Sequence, residues 1–423
     1  MIAPLTAPNH STFVAEPMLA AMQLHVLYAG ADRFVASIVP KVGRLARDAF
    51  DTHLASDDDL ARLVAPEVRG LELGELRARV RARLETRPVE DFRIDFEDGY
   101  GVRADAEHDE HARAAGRAIA EGHLAGTLPP GLGIRVAPLD LETRSRGLRT
   151  LELVIEAMCA GGGARPLRIT LPKVRSVREV DELAGALEAH EREKALPRGS
   201  LAIELMLEDP AAFLDASGRV PIRALVEAGR DRVSSCHLGS YDLTAALDVP
   251  GWAQRADHPA CATARMLAKL ALAGTGVLLV DGATTRLPLA TSRKGASEAE
   301  RARDHEEIVG AMSEHATNVR RALSEGIDAG WDLHPAQIPA RLVAVFATYL
   351  GARTAMTSRL SRFLDQHARA TATGSAFDDA ATGRALVSFF DRGHACGALD
   401  AADLCAVGIE RAPMSWRSPR LGG

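Results

Sequence analysis

A set of charged residues in this chain sits where packing alone would not ask for charge. Asp95, Glu97, Asp98, Arg135, Lys173, Glu204, Asp242, Asp281 and His334 each lie on, or just past, a short apolar run. Buried charge costs several kcal/mol unless it is paired or bound to metal, so such a set reads as a site. Glu204, in LAIELML, and Asp242, in LGSYDL, are read as the protein ligands of one Mg²⁺ or Mn²⁺ ion. These cations take oxygen donors in an octahedral shell. Arg135 offers a planar fork for a substrate carboxylate, and Asp98 is placed to move a proton. Lys173, Glu97, Asp95 and His334 complete the expected substrate-binding group. A 2-oxo acid would add its carboxylate and keto oxygens to the metal shell. The cation would then stabilise an enolate oxygen while a carbon–carbon bond breaks or forms.

Plainer readings exist for each residue. Glu204 and Asp242 could form a metal-free ion-pair set with Arg135 and Lys173. Glu97, Asp98 and Asp281 precede glycines and could be turn formers, and His334 before Pro335 could cap a helix. His108 and His111 are three apart on a charged helix and read as a solvated face, as does the Arg-rich stretch 77–87.

Eight strand-like runs position these residues: Leu24–Ala29, Arg93–Phe96, Gly133–Ala137, Leu167–Leu171, Leu201–Leu207, Arg232–Leu238, Gly276–Val280 and Ala329–Leu333. Helix-like segments alternate with them. One begins at Ser176, with Glu179 at the spacing of a capping box. Eight apolar runs without period-2 alternation favour a (β/α)₈ TIM barrel over a doubly wound sheet. In a barrel the C-terminal strand ends converge on one mouth, which brings the charged set together. Three parts are expected: a lead-in over residues 1–22, a barrel over 23–345 with an inserted helical segment at 51–90, and a helical extension over 346–423. That extension could pack on the barrel or on a neighbouring subunit of a homo-oligomer.

Apolar residues make up 47% of the 423, and aromatics only 4%, so the core must be built mainly from Ala, Leu and Val. A net charge of −6 gives no electrostatic case for nucleic acid. No apolar run approaches the roughly 20 residues of a spanning helix. The scattered Cys159, Cys236, Cys261, Cys396 and Cys405, and the lack of a basic start before Arg33, suit a cytoplasmic protein with reduced thiols.

The segments DFEDGYG, IRVAP, LPKV, AIELMLED, LGSYDLTAALD and WDLHPAQI, in that order, resemble the HpcH/HpaI aldolase and citrate lyase β-subunit family over about residues 24–345. The resemblance implies a (β/α)₈ barrel, a Mg²⁺ or Mn²⁺ site and reversible carbon–carbon cleavage. It matches Glu204 and Asp242 to the metal ligands and Arg135 to the carboxylate-binding arginine. Asp98 falls where the aldolase branch has a catalytic His. The products implied are an oxo acid, or an acetyl thioester with an oxo acid. The alternatives are an acyl-CoA lyase of the malyl- or citramalyl-CoA type, with a coenzyme A thioester as substrate, and a non-catalytic barrel serving as a binding module.

Overall fold

The computed structural model describes residues 23–66, 68, 71–293, 295–373 and 380–409. The lead-in expected over 1–22 lies outside the described residues. Eight parallel strands close into a barrel in chain order: β1 (His25–Gly30), β2 (Asp91–Asp95), β3 (Gly131–Arg135), β4 (Leu167–Leu171), β5 (Leu201–Leu207), β6 (Val233–Leu238), β7 (Leu278–Asp281) and β8 (Ala329–Asp332). Pairing of Leu27 with Asp332 between β1 and β8 completes the ring. This is the (β/α)₈ barrel read from the sequence, with strand ends displaced by at most two residues.

The helices follow the strands. After β1 come α1 (Ile38–His53), α2 (Asp57–Ala61) and α3 (Leu73–Thr86), the inserted helices. Then come α4 (Asp105–Leu124), α5 (Arg144–Ala160), α6 (Val177–Glu193), α7 (Ile222–Ala228), α8 (Ser240–Ala246), α9 (Pro259–Leu272) and α10 (Glu298–Ser324). After β8 come α11 (Gln337–Thr373), α12 (Ala380–Ala395) and α13 (Ala401–Ala406). The Ser176–Glu179 capping box starts α6 as expected. The point between residues 345 and 346 falls inside α11, which runs through it without a break. All five cysteines are free. Among the described residues no helix is long and apolar enough to cross a membrane.

The strands do alternate, and the alternation explains the interior. Phe92, Ile94, Ile169, Leu171, Ile203, Leu205, Cys236 and Leu238 belong to the apolar layer shared with the helices. Their neighbours Arg93, Thr170, Glu204, Ser235 and His237 are also buried, but carry polar groups. Successive strand residues face opposite sides, so these polar residues line the inside of the barrel. Burying the apolar layer at about 25 cal/mol per Å² drives closure. The interior must then satisfy its own charges.

Candidate active site

At the C-terminal ends of the strands lies a cavity of about 550 Å³, whose lining includes Tyr28, Asp95, Asp98, Arg135, Glu208 and Asp242. Asp95 ends β2 and organises one wall. Its carboxylate accepts the backbone N–H groups of Glu97 (3.0 Å) and Gly99 (2.8 Å) and takes the fork of Arg135 through Nε, at 2.6 Å, and Nη2. A Cβ at residue 99 would fall 2.4 Å from the Asp95 carboxylate, so glycine lets the DFEDG turn fold back this tightly.

Arg135 ends β3. One edge is committed to Asp95, while Nη1 lies 3.1 Å from Glu97 Oε2 and 3.9 Å from Asp98 Oδ2. Its guanidinium sits over the rings of Tyr28 (5.3 Å) and Trp331 (6.0 Å), which stack on each other with centroids 4.5 Å apart. Burial works against its charge, but the Asp95 carboxylate outweighs burial and holds its pKa above the ordinary range. The expected carboxylate fork is therefore engaged on both sides, by Asp95 at Nε and Nη2 and by Glu97 at Nη1, and a substrate carboxylate would take the Glu97 position at Nη1.

Lys173 follows β4 and Pro172 with φ of +50°, a left-handed conformation costing a side chain about 1–2 kcal/mol. Its backbone N–H donates to Glu208 Oε1 at 2.8 Å. Its Nζ contacts Glu97 and lies 3.1 Å from Asp98 Oδ2 and 3.7 Å from Asp242 Oδ1. Burial pushes the Glu97 carboxyl up; burial also opposes ionisation of Asp98, but the Glu97 hydrogen bond and the Lys173 charge hold it below its usual value. Asp98 is thus the ionised, more exposed member, a carboxylate with room to accept a proton but weakened as a base by the neighbouring cations. His334 lines the cavity too, but its Nδ1 accepts the backbone N–H of Ala336 at 3.2 Å, so it caps the start of α11.

The two acids expected to share a cation are placed apart by the fold. Asp242 stands in the first turn of α8 and lines the cavity. Glu204 pairs with Thr170 and Ser235 across the strands and lies inside the barrel. Its carboxylate meets Arg93 at 2.7 Å (Nε) and 2.6 Å (Nη2), Thr170 Oγ1 at 2.8 Å and Ser235 Oγ at 3.0 Å. Burial opposes ionisation of Glu204, but the Arg93 charge and the hydrogen bonds from Arg93 and His237 overcome it and hold the carboxyl well below its usual range. His237 Nδ1 accepts from Trp331 Nε1 at 3.1 Å. The indole N–H can only donate, so the imidazole proton sits on Nε2, toward Ser235 and Glu204.

The acid that faces Asp242 is Glu208, four residues further along the same chain. An extended chain covers roughly 13 Å over that span, enough to pass from the interior to the mouth. Glu208 is 2% exposed. Burial first, and then the Asp242 charge, push its carboxyl up to about 8, against the pull of Lys173 and Arg135. A Cβ at residue 239 would lie 2.2 Å from Glu208 Oε2, so the glycine before α8 makes room for the acid. Sequence reasoning passed over Glu208. The signal was present in LMLED, where the acid falls at the end of the apolar run and Glu204 falls in its middle.

Among the described residues no group of three or more His, Cys, Asp or Glu is arranged to hold a metal ion. Glu208 and Asp242 nevertheless fit Mg²⁺. They are two carboxylates at one mouth, the Asp242 charge opposing ionisation of the buried Glu208, and Mg²⁺ is held through one or two carboxylates with water and substrate filling the remaining positions. A pH dependence follows. In EDTA, Glu208 keeps its proton in the folded protein up to about pH 8, whereas an ordinary Glu ionises near 4.5. At this group the folded state then binds more protons than the unfolded chain, so its contribution to stability should fall as pH rises from about 5 to about 8 and level off above. Buried histidines such as His25 and His315, whose pKa values burial lowers, act in the opposite sense, so urea unfolding of the wild type against Glu208→Gln across that range isolates the Glu208 contribution, and a difference independent of pH would count against its placement.

Fold and mouth together define a parallel (β/α)₈ barrel with an acid- and arginine-lined cavity at its C-terminal face. The chain belongs to the DUF6986 family, described as a domain of unknown function, whose model matches residues 19–420. No curated protein matches it. A crystal structure of a citrate lyase from Burkholderia xenovorans LB400 is similar, with a TM-score of 0.59 and 20% identity over 92% of this chain and 97% of that one. The magnesium/glyoxylate complex of Haloferax volcanii malate synthase gives a TM-score of 0.48 and 16% identity over 82% and 91% of the two chains. The lead(II) complex of that enzyme gives 0.47 and 17% over 76% and 72%. The likeness to the citrate lyase structure bears out, as a likeness of fold, the resemblance read from the sequence.

Proposed function

We propose that the mouth is the active site of a Mg²⁺- or Mn²⁺-dependent carbon–carbon lyase acting on a small 2-oxo acid or its aldol adduct. The observation that carries this is the buried Glu208 beside Asp242 in a cavity that also holds Arg135 and Asp98. A cation bound by Glu208 and Asp242 would supply charge stabilisation for an enolate oxygen. Arg135 binds the substrate carboxylate through Nη1, in place of Glu97, while Asp95 fixes its plane. Tyr28 and Trp331 form the floor and exclude water. Asp98 takes or returns the proton.

The test is calorimetric titration of pyruvate and oxaloacetate in the presence of Mg²⁺. Binding that needs both Mg²⁺ and Arg135 supports the reading, and binding by neither oxo acid sinks it. Arg135→Lys should weaken the oxo acid by about 1.5–3 kcal/mol, because an ammonium cannot hold Asp95 along one edge and a ligand along another.

A second reading, with a coenzyme A thioester as substrate, is favoured by one feature. The lining of the cavity also includes the apolar Ile38, Val42 and Leu45 of α1 and the cations Arg33 and Lys41. Apolar side chains and cations together suit a long ligand with phosphates. Arg33→Ala/Lys41→Ala should weaken coenzyme A or acetyl-CoA about tenfold or more while leaving the oxo acid unchanged. Equal affinities in both proteins would restrict the substrate to the free acid.

A further inference from the structure

We infer that Lys173 is a resident counter-cation that a divalent metal must displace. The inference rests on the cation site proposed at Glu208 and Asp242. The Lys173 ammonium reaches into the acids of the mouth, touching Glu97 and lying 3.1 Å from Asp98 and 3.7 Å from Asp242. A lysine ammonium is charged at neutral pH, and here three carboxylates surround it. The same residue fixes Glu208 from the other side through its backbone N–H. One residue thus holds one proposed ligand with its main chain and screens the other with its side chain.

These two roles separate on metal binding. Two positive charges beside Asp242 repel, and in a partly buried site that repulsion is strong. The left-handed backbone still aims the N–H at Glu208, while the side chain, 28% exposed, has solvent to move into. The arm therefore has two positions. Inside, it neutralises the acids of the metal-free mouth. Outside, it clears Asp242 and leaves Asp98 with only the more distant Arg135 beside it, which makes that carboxylate a stronger base. Metal occupancy and the basicity of Asp98 are then linked through a single side chain.

The experiment is Mn²⁺ and Mg²⁺ titration of the full chain, wild type against Lys173→Met, by calorimetry and Mn²⁺ paramagnetic resonance. Methionine keeps the length and the backbone N–H and removes the charge. Lys173→Met should bind the metal at least about tenfold more tightly, as expected when a nearby competing charge is lost. Arg175→Gln, which removes a nearby exposed cation paired with Asp209, should stay within about threefold because solvent and salt screen it. A second readout follows the arm itself. Amine acylation mapped by mass spectrometry should label Lys173 faster with Mg²⁺ than in EDTA. Unchanged or weaker metal affinity in Lys173→Met, or labelling indifferent to Mg²⁺, would overturn the displacement while leaving the cation site standing. No metal binding by either protein would overturn the site and the displacement together.

Discussion

Glu204→Gln should destabilise the protein by about 3–5 kcal/mol, the cost of breaking a buried ion pair from one side. The reason lies inside the barrel. Arg93 is fully buried, and its guanidinium divides between Glu204 and Asp91. Asp91 is already shared with Arg168 at 2.8 Å. Losing Glu204 leaves two guanidinium groups against one carboxylate in a space closed to water. A loss of that size is a large part of the 5–15 kcal/mol typical of a native protein, so the variant could fail to fold. Arg93→Met/Glu204→Leu removes both charges and should recover most of the stability. Urea denaturation of the single and double variants decides the matter. A single-variant loss below about 1 kcal/mol, or a double variant as unstable as the single, would refute the pairing.

Glu208→Gln should do something different on two counts. Mg²⁺ at about one hundred times its dissociation constant stabilises a folded protein by about 2.7 kcal/mol, and this variant should lose that shift. In EDTA above pH 8, however, it should be more stable than the wild type, because the native protein there carries an ionised acid against burial and Asp242. The glutamine carbonyl can still accept the Lys173 N–H, so the local fold is kept. Melting curves at pH 6 and pH 8.5, with Mg²⁺ and with EDTA, contain both effects. A retained Mg²⁺ shift, or lower stability at high pH in EDTA, would remove Glu208 from the cation site.

The barrel was legible because its strands are short apolar runs ended by charge or glycine. The site was legible in its residue types and less so in their depth. Glu204 and Glu208 share one chain direction and one apolar context, LAIELMLED. Only the layer each occupies separates them, and that depends on the stagger of neighbouring strands. Arg93 was the available clue. A cation in the middle of DFRID demands a buried carboxylate partner, and Glu204, at the same depth of another strand, supplies it. The engagement of Arg135 by Asp95 and Glu97 was beyond sequence reasoning, since nothing local joins it to Asp95, forty residues earlier.

The helix that closes the circuit has a mechanical consequence. At 37 residues, α11 is a rod of about 55 Å, starting next to the His334 cap. Its first turns are almost wholly buried from Ile338 to Phe346, and further along it meets Glu75 of α3 through Arg353 at 2.8 Å. One unbroken helix therefore couples the rim of the barrel mouth to the peripheral layer of α3, and trimming the chain at residue 345 would cut that connection inside its buried first turns.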